Sequence, residues 1–315
     1  DAAAYHIPVL APASLEGLGI GSKQGGVFVD ATFGGGGHTR MMLDALNADG
    51  HIYGMDQDND VLDNVPQDER FTLLPENFRY MRNFLRQEGV RHVDGILADL
   101  GVSSHQFDTG TRGFSIRFEG PLDMRMNQSQ PVSAADVVGS YSVPELTRVF
   151  RQYGELKRPD KAAYAIESAR KEAPITRTNE LIAALNTLAP RGKENQYFAQ
   201  VFQALRIEVN DELGALQAML LSSVELLQEG GRLAIISYHS LEDRLVKHFM
   251  RSGNFDDNIP RDFKGQALCP FHLLSRKAII ADSEEQDCNP RARSARLRIA
   301  ERTALTSEQI KQATA

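Results

Sequence analysis

The chain has 315 residues, of which 42% are hydrophobic and 24% are charged. These values are typical of a soluble globular protein with one large domain or two smaller ones. A formal net charge of −7 makes nonspecific binding to nucleic acid unfavourable. If the partner is nucleic acid, the contact must use a local basic patch, or the substrate must be a protein–RNA particle. Two cysteines, Cys269 and Cys288, fit a reducing cytoplasm. We expect neither a membrane span nor a signal peptide, because no sufficiently long apolar run occurs.

Strands and helices alternate in the first third of the chain. Apolar runs predict strands at 26–30, 51–56, 71–74 and 93–98. Apolar residues at helical spacing predict helices at 38–48 and 78–88. This alternation is typical of an α/β fold with a parallel sheet.

The middle of the chain has a different pattern. Residues 107–140 are irregular and polar, and 142–210 have helical periodicity, with Ser142 and Glu145 as a capping box. An apolar stripe continues to Leu227, with Gly214 as a candidate break. The α/β pattern resumes with a strand at 231–237, a helix capped by Ser240 and Asp243, and a strand at 295–300. We predict an α/β core in two parts, 1–107 and 211–302, an inserted helical substrate-recognition domain at 108–210, and a tail at 303–315.

A run of four glycines, Gly34 to Gly37, lies between the first strand and the first helix. Glycines let the backbone turn sharply and approach a ligand closely. Asp56 follows at the end of the second strand, where a carboxylate can accept hydrogen bonds from a ribose diol. The pattern predicts a cofactor that contains adenosine.

The residues around this turn favour one class of cofactor. The spacing does not follow the dinucleotide pattern G-x-G-x-x-G, and the loop has no lysine for a nucleoside triphosphate. Asp30, just before the loop, would repel a pyrophosphate but suits the ammonium group of S-adenosylmethionine. A methyl donor is the favoured ligand, with a dinucleotide or a purely structural turn as the alternatives.

Asp99 follows the strand at 93–98. It is expected at the same cleft, because ligands of open parallel sheets bind beyond the carboxyl ends of the strands. Methyl transfer from a sulfonium needs mainly in-line alignment. If the group that receives the methyl is an amine with a delocalised lone pair, it is a poor nucleophile, and an acceptor for one of its hydrogens would help. Asp99, Ser103 and His239 are the candidates for that acceptor.

Seven motifs occur in an order that resembles one family. They are the segments 30–38, 99–106, 112–115, 120–126, 202–207, 237–244 and 289–302. Together they resemble the bacterial ribosomal RNA small subunit methyltransferase H family from about His6 to about Arg302. The resemblance implies a Rossmann-like, S-adenosylmethionine-dependent methyltransferase domain. It also implies N4-methylation of a cytidine in the decoding region of 16S ribosomal RNA, within a small ribosomal subunit or a late precursor.

The resemblance also implies which residues contact the cofactor. Carried over one by one, they are Gly36, Gly37, His38, Asp56, Phe78, Asp99 and Gln106. The residues themselves already point to the two glycines and the two aspartates. His38, Phe78 and Gln106 rest on the resemblance, and Phe78 alone would more often be a helix core residue.

Arginines near the C-terminus are candidates for RNA contact, because guanidinium groups pair with phosphate and stack on bases. Arg291 and Arg293 are predicted RNA contacts. Arg296 and Arg298 alternate with apolar residues. This pattern is equally compatible with RNA contact and with the solvent-exposed face of a strand.

A second candidate RNA surface lies in the irregular region. Arg112, Phe114 and Arg125 suit a splayed single-stranded base. The alternative is that Phe114 packs in the core and that Asp123 pairs with Arg125.

Tyr238 and His239 lie between the strand at 231–237 and the following helix. Both are predicted substrate contacts, and His239 is also a candidate proton acceptor. Cys269 and His272 have C-x-x-H spacing without a second pair, so no metal site is predicted.

Two other functions remain open at this point. One is methylation of a different amine, such as adenine N6 or a protein side chain. The other is a noncatalytic ribosome-assembly factor that uses the fold to bind RNA.

Overall fold

The computed structural model describes residues 8–314 and divides into two compact units. The first comprises the chain up to Gly101 and again from Gly214, and the second comprises Val102–Leu213. The insertion predicted from the sequence spans 108–210. The predicted absence of a signal peptide concerns the first residues of the chain, most of which lie outside the described part. His6, where the family resemblance begins, also lies outside it. Within residues 8–314, no helix combines the length and apolar composition needed to cross a membrane.

The first unit is built on a seven-stranded sheet. Its strands are β1 (Val27–Asp30), β2 (His51–Met55), β3 (Phe71–Leu74), β4 (Val93–Asp99), β5 (Leu227–Ser237), β6 (Phe271–Leu273) and β7 (Arg296–Arg302). The order is β3-β2-β1-β4-β5-β7-β6. The first five strands are parallel, and β7 is antiparallel to both neighbours. The chain order reverses between β1 and β4, which is where open α/β sheets bind ligands.

Both faces of this sheet are covered by apolar side chains. The helices of the unit are α1 (Ala11–Leu18), α2 (Gly37–Ala45), α3 (Met81–Gln87), α11 (Ser240–Ser252), α12 (Ser283–Cys288) and α13 (Ser307–Thr314). One apolar cluster combines Val29 and Ile96 with Leu85 and Phe249. The other combines Phe28 and Ile52 with Leu18 and Met42. Two-sided burial explains why β1 and β4 read as continuous apolar runs rather than alternating ones.

The second unit is helical, with one core of its own. Its helices are α4 (Ser104–Asp108), α5 (Ala134–Ser140), α6 (Val143–Gln152), α7 (Pro159–Glu172), α8 (Thr178–Leu185) and α9 (Glu194–Asn210). Helix α10 (Glu212–Leu226) begins in this unit and continues into the first. The core includes Phe150, Ile166, Leu181 and Leu205. The Ser142–Glu145 capping box predicted for α6 is confirmed.

Three local predictions need correction. Helix α5 lies in the stretch predicted to be irregular, and it begins with a Ser133–Asp136 capping box. The long apolar stripe breaks at Asp211, whose φ of 45° is left-handed, rather than at Gly214. The N-cap of α11 is His239, not Ser240.

Arg298 makes an internal ion pair rather than lying on the solvent-exposed face of a strand. Its Nε and Nη2 lie 2.7 and 3.0 Å from the two carboxylate oxygens of Asp243. The two side chains are only 11% and 15% exposed. The pair ties β7 to α11.

Asp243→Asn is expected to lower the free energy of unfolding by about 2–4 kcal/mol, because it leaves a largely buried guanidinium without its counter-charge. Urea denaturation measures the change. Arg296→Met is the matched control, since Arg296 is exposed and its loss should cost less than about 0.5 kcal/mol. The double variant Asp243→Leu/Arg298→Met should recover much of the loss, and equal destabilisation by Arg296→Met would contradict the assignment.

Candidate active site

Three carboxylates lie at the carboxyl ends of three adjacent strands. Asp30 is the last residue of β1, Asp99 is the last residue of β4, and Asp56 directly follows β2. The register places Asp30 between Gly54 and Leu97, each two residues before one of the other carboxylates. The parallel pairing therefore brings all three to one edge of the sheet.

The glycine turn connects the carboxylates at β1 and β2. Gly34 and Gly36 have φ angles of 50° and 72°, which favour glycine, and Gly36 is the N-cap of α2. The amide of Gly34 donates to Asp56 Oδ2 at 2.8 Å. A Cβ on Gly35 would meet none of the described atoms within 4 Å, so the turn faces open space there.

Asp30 is almost fully buried, and hydrogen bonds orient it. Its Oδ2 accepts from Thr39 Oγ1 at 2.7 Å, and its Oδ1 accepts from the amide of Thr32 at 3.2 Å. Burial raises its pKa, while His38 and the Thr39 hydrogen bond act against that rise. The hydroxyl of Thr32 also accepts the amide hydrogen of Asp99 at 2.6 Å, so one threonine links the tips of β1 and β4.

The carboxylate of Asp56 lies at the end of β2, where the sequence predicts an acceptor for a ribose diol. Besides the Gly34 contact, its Oδ1 accepts from the amide of Asp58 at 2.9 Å. Burial raises the pKa of Asp56 to about 6, against the effect of these two hydrogen bonds. Asp58 caps the short helical turn that follows β2.

Asp99 is more accessible, with 23% of its side chain exposed. Its Oδ1 accepts from the hydroxyl of Tyr238 at 2.6 Å, and its Oδ2 lies 3.9 Å from His38 Nδ1. Burial raises the pKa of Asp99, and His38, Tyr238 and Arg291 oppose that rise. His38 Nε2 lies 2.9 Å from the carbonyl oxygen of Val9. Because a carbonyl only accepts, Nε2 carries hydrogen and Nδ1 faces Asp99.

This arrangement fits a cationic, sugar-bearing ligand better than a pyrophosphate. Buried carboxylates with raised pKa values are stabilised by an incoming positive charge and repel an anion. Asp56 would hold a ribose diol, the glycine turn would face the ammonium end with the buried charge of Asp30 behind it, and Asp99 would face the reacting end. The charges favour S-adenosylmethionine over a dinucleotide.

Comparison with known proteins places the chain in a family. The model of the MraW methylase family matches residues 3–303. The chain belongs to this family. It is an α/β methyltransferase that uses S-adenosyl-L-methionine, which confirms the predicted family, fold class, enzyme class and cofactor.

The curated relatives are similar along nearly their whole length. "Ribosomal RNA small subunit methyltransferase H" of Parabacteroides distasonis is 51% identical, over 95% of this chain and 97% of the relative. The protein of the same name from Cytophaga hutchinsonii is 52% identical, over 95% and 99% respectively. The solved structure of a rRNA methylase from Streptococcus thermophilus is 13% identical, with a TM-score of 0.35, over 88% of this chain and 86% of its own.

Phe78 and Gln106, expected at the cofactor on the resemblance alone, occupy different environments. Phe78 is partly buried, begins the turn before α3 and packs against the core of the first unit. Gln106 belongs to the second unit, is 5% exposed and completes a capping box with Ser103. That bond also gives Ser103 a structural role. Cofactor contact by Phe78 and Gln106 stays a prediction.

Arg112 and Phe114 do not form the predicted RNA surface. Both are 5% exposed, and Phe114 packs in the helical core. Arg112 Nη2 donates to the carbonyl oxygens of Arg125 and Met126. Arg125 pairs with Asp123 at 2.8 Å and donates to the carbonyl oxygen of Gln130. These contacts hold the loop together, which favours the alternative of internal packing.

His239 has a structural role at the start of α11. Its Nδ1 accepts from the amide of Glu242 at 3.4 Å, and its Nε2 lies 3.1 Å from Glu242 Oε1. The side chain is only 9% exposed. Both ring nitrogens therefore face Glu242, which argues against the prediction that His239 accepts a proton from the substrate. Contact of His239 with the substrate stays a prediction.

Tyr238 and Arg291 come together beside Asp99. The guanidinium carbon of Arg291 lies 5.7 Å from the centroid of the Tyr238 ring. Arg293 is exposed on the same short helical turn as Arg291, Pro290–Ser294. RNA contact by these three residues stays a prediction.

The sequence analysis did not identify Thr32, whose hydroxyl links the tips of β1 and β4. The signal that could have found it is a hydroxyl side chain between Asp30 and the glycine run.

Asp56→Ala is expected to weaken donor binding by about 2–3 kcal/mol, because a ribose diol loses its acceptor. In the unaltered protein, donor affinity should fall as pH drops through about 6, since the protonated carboxyl of Asp56 is the poorer acceptor, with a limiting slope of about tenfold per pH unit. Calorimetry from pH 5 to 8 measures both effects. Asp60→Asn, which alters an exposed carboxylate nearby, is the control, and a flat pH profile would contradict the assignment.

Proposed function

We propose that the protein methylates N4 of a cytidine in the decoding region of 16S ribosomal RNA, in the cytoplasm, with S-adenosylmethionine as donor. The observation that carries the proposal is the likeness to relatives named ribosomal RNA small subunit methyltransferase H, at about half identity along nearly the whole chain. The buried carboxylates at the sheet edge supply chemistry suited to this reaction.

The reaction requires the protein mainly to align the methyl donor with the substrate amine and to provide one hydrogen-bond acceptor. When bound, the donor supplies an electrophilic methyl group on a sulfonium. The cytosine amine is weakly nucleophilic because its lone pair is delocalised into the ring. An acceptor that takes an amine hydrogen localises that pair as the new bond forms. Asp99 is the carboxylate best placed to act, because part of its side chain is exposed while Asp30 is enclosed.

Exposed arginines beyond the end of β5 are the proposed RNA contacts. Arg296 pairs in register with Ser237, the last residue of β5, and both Arg293 and Arg296 are exposed. Tyr238, which follows Ser237, hydrogen-bonds Asp99. These arginines are therefore close along the sheet edge to the proposed acceptor. A folded small subunit or late precursor suits an acidic protein better than naked RNA.

The direct test incubates the protein with labelled donor and either small subunits or purified 16S RNA. Mass spectrometry of the digested RNA should find N4-methylcytidine at one position. Methyladenosine, or label in protein, would favour the other amine. Tight RNA binding without transfer, together with no donor binding, would favour a noncatalytic assembly factor.

Asp99→Asn is expected to lower kcat by about 10²–10³-fold, because it removes the negatively charged acceptor while keeping the size of the side chain. Single-turnover transfer to small subunits measures the rate, and calorimetry measures donor affinity separately. An unchanged rate, or a loss confined to donor affinity, would contradict the role of Asp99 as the amine acceptor.

Arg293→Glu/Arg296→Glu is expected to raise the KM for the RNA substrate by about tenfold or more and to reduce its salt dependence, since each lost phosphate contact lowers the salt slope by about one. Steady-state kinetics at several salt concentrations measure both. Arg86→Glu serves as control, because Arg86 is an exposed cation of α3. An equal effect from Arg86→Glu would show that overall charge, and not this surface, is responsible.

A further inference from the structure

Tyr238 directly contacts the proposed acceptor. Its hydroxyl donates to Asp99 Oδ1 at 2.6 Å, within the range typical of a charge-assisted hydrogen bond from a hydroxyl to a carboxylate. The other oxygen, Oδ2, lies 3.9 Å from His38 Nδ1, which is beyond hydrogen-bond distance. The two oxygens of Asp99 therefore have different environments.

Tyr238 is itself held from three sides. Its amide donates to Glu242 Oε2 at 3.1 Å, which fixes its backbone to the start of α11. The guanidinium of Arg291 lies over its ring, a favourable arrangement of a cation and an aromatic face. Gly101 adjoins the ring, and a Cβ there would lie 3.6 Å from Cδ2. A phenol held in this way loses little conformational freedom on orienting another group.

We infer that Tyr238 is a positioning residue for the methyl transfer: its hydroxyl engages Oδ1 of Asp99 and so directs Oδ2 toward the substrate amine, with Arg291 holding the phenol ring in place. The inference rests on the proposed function, because it assumes that Asp99 accepts the amine hydrogen. It gives Tyr238 and Arg291 a task distinct from the predicted contact with RNA.

The charges around Asp99 explain why this hydrogen bond matters for the carboxylate form. Asp99 has a raised pKa because of its burial and, to a smaller extent, Glu242 of α11, whereas His38 of α2, the Tyr238 hydroxyl and Arg291 favour the carboxylate. Asp30 of β1 also repels it. Burial raises the pKa of Tyr238 itself, so the phenol stays protonated and remains a donor. Without the phenol hydroxyl, the pKa of Asp99 rises and its neutral acid form is favoured.

The test is Tyr238→Phe, which removes one oxygen and keeps the ring under Arg291. Two quantities are measured: the pKa of Asp99 by carbon NMR of labelled aspartate carboxyls in the free protein, with Asp99→Asn used for assignment, and the pH profile of kcat. We expect the Asp99 pKa and the acid limb of kcat to rise together by about one unit, equivalent to about tenfold at low pH. The KM for RNA should stay within about twofold, because the ring contact is retained.

A matched control is Tyr141→Phe in the second unit. Tyr141 donates to Glu208 at 2.9 Å, so this variant also loses a tyrosine–carboxylate hydrogen bond, and it should leave both quantities unchanged. Arg291→Met should shift both in the same direction as Tyr238→Phe.

Three results would overturn the inference: an unchanged Asp99 pKa in Tyr238→Phe, a raised pKa with an unchanged kcat profile, or a loss confined to the KM for RNA. If the unaltered protein transfers no methyl group to any RNA, the proposed function fails instead. The NMR titration still reports whether the hydrogen bond tunes the carboxyl.

Discussion

The structure depends on keeping three carboxylates close together at the edge of one parallel sheet. Pairing of β1 with β2 and with β4 fixes their spacing, and burial raises the pKa of each. Such a site is costly to ionise when empty and is stabilised by a ligand that brings positive charge. The backbone amides of Thr32, Gly34 and Asp58 and the hydroxyls of Thr39 and Tyr238 donate hydrogen bonds to these carboxylates. A sulfonium donor would add a positive charge.

Much of this site could be predicted from sequence because it depends on strand ends. The glycine run, Asp56 and Asp99 each stand directly after or near an apolar run, and parallel pairing brings such positions together whatever the rest of the fold does. Local signals also sufficed for the capping box of α6. They would have sufficed for α5, whose Ser133–Asp136 box was present but lay within a polar stretch.

Side-chain environments in the second unit were harder to predict, because they depend on contacts distant in sequence. Arg112 and Phe114 look like a basic aromatic loop, yet Phe114 joins the helical core and Arg112 holds carbonyl groups of the same loop. Asn210 braces this loop as well, accepting the amide hydrogen of Met126 at 2.8 Å. No spacing rule connects residues 84 positions apart, so only packing shows that the loop is structural.

The same packing limits how the protein can recognise RNA. Arg112, Arg125 and Arg298 are each engaged within the protein, so their charges are not readily available for phosphates. Arg293 and Arg296 are exposed, on a chain with a net charge of −7. A few cations on an acidic surface give weak, salt-sensitive attraction to naked RNA. This shortage of available cations is consistent with the proposal that the substrate is a small subunit, or a precursor close to it, rather than the free transcript.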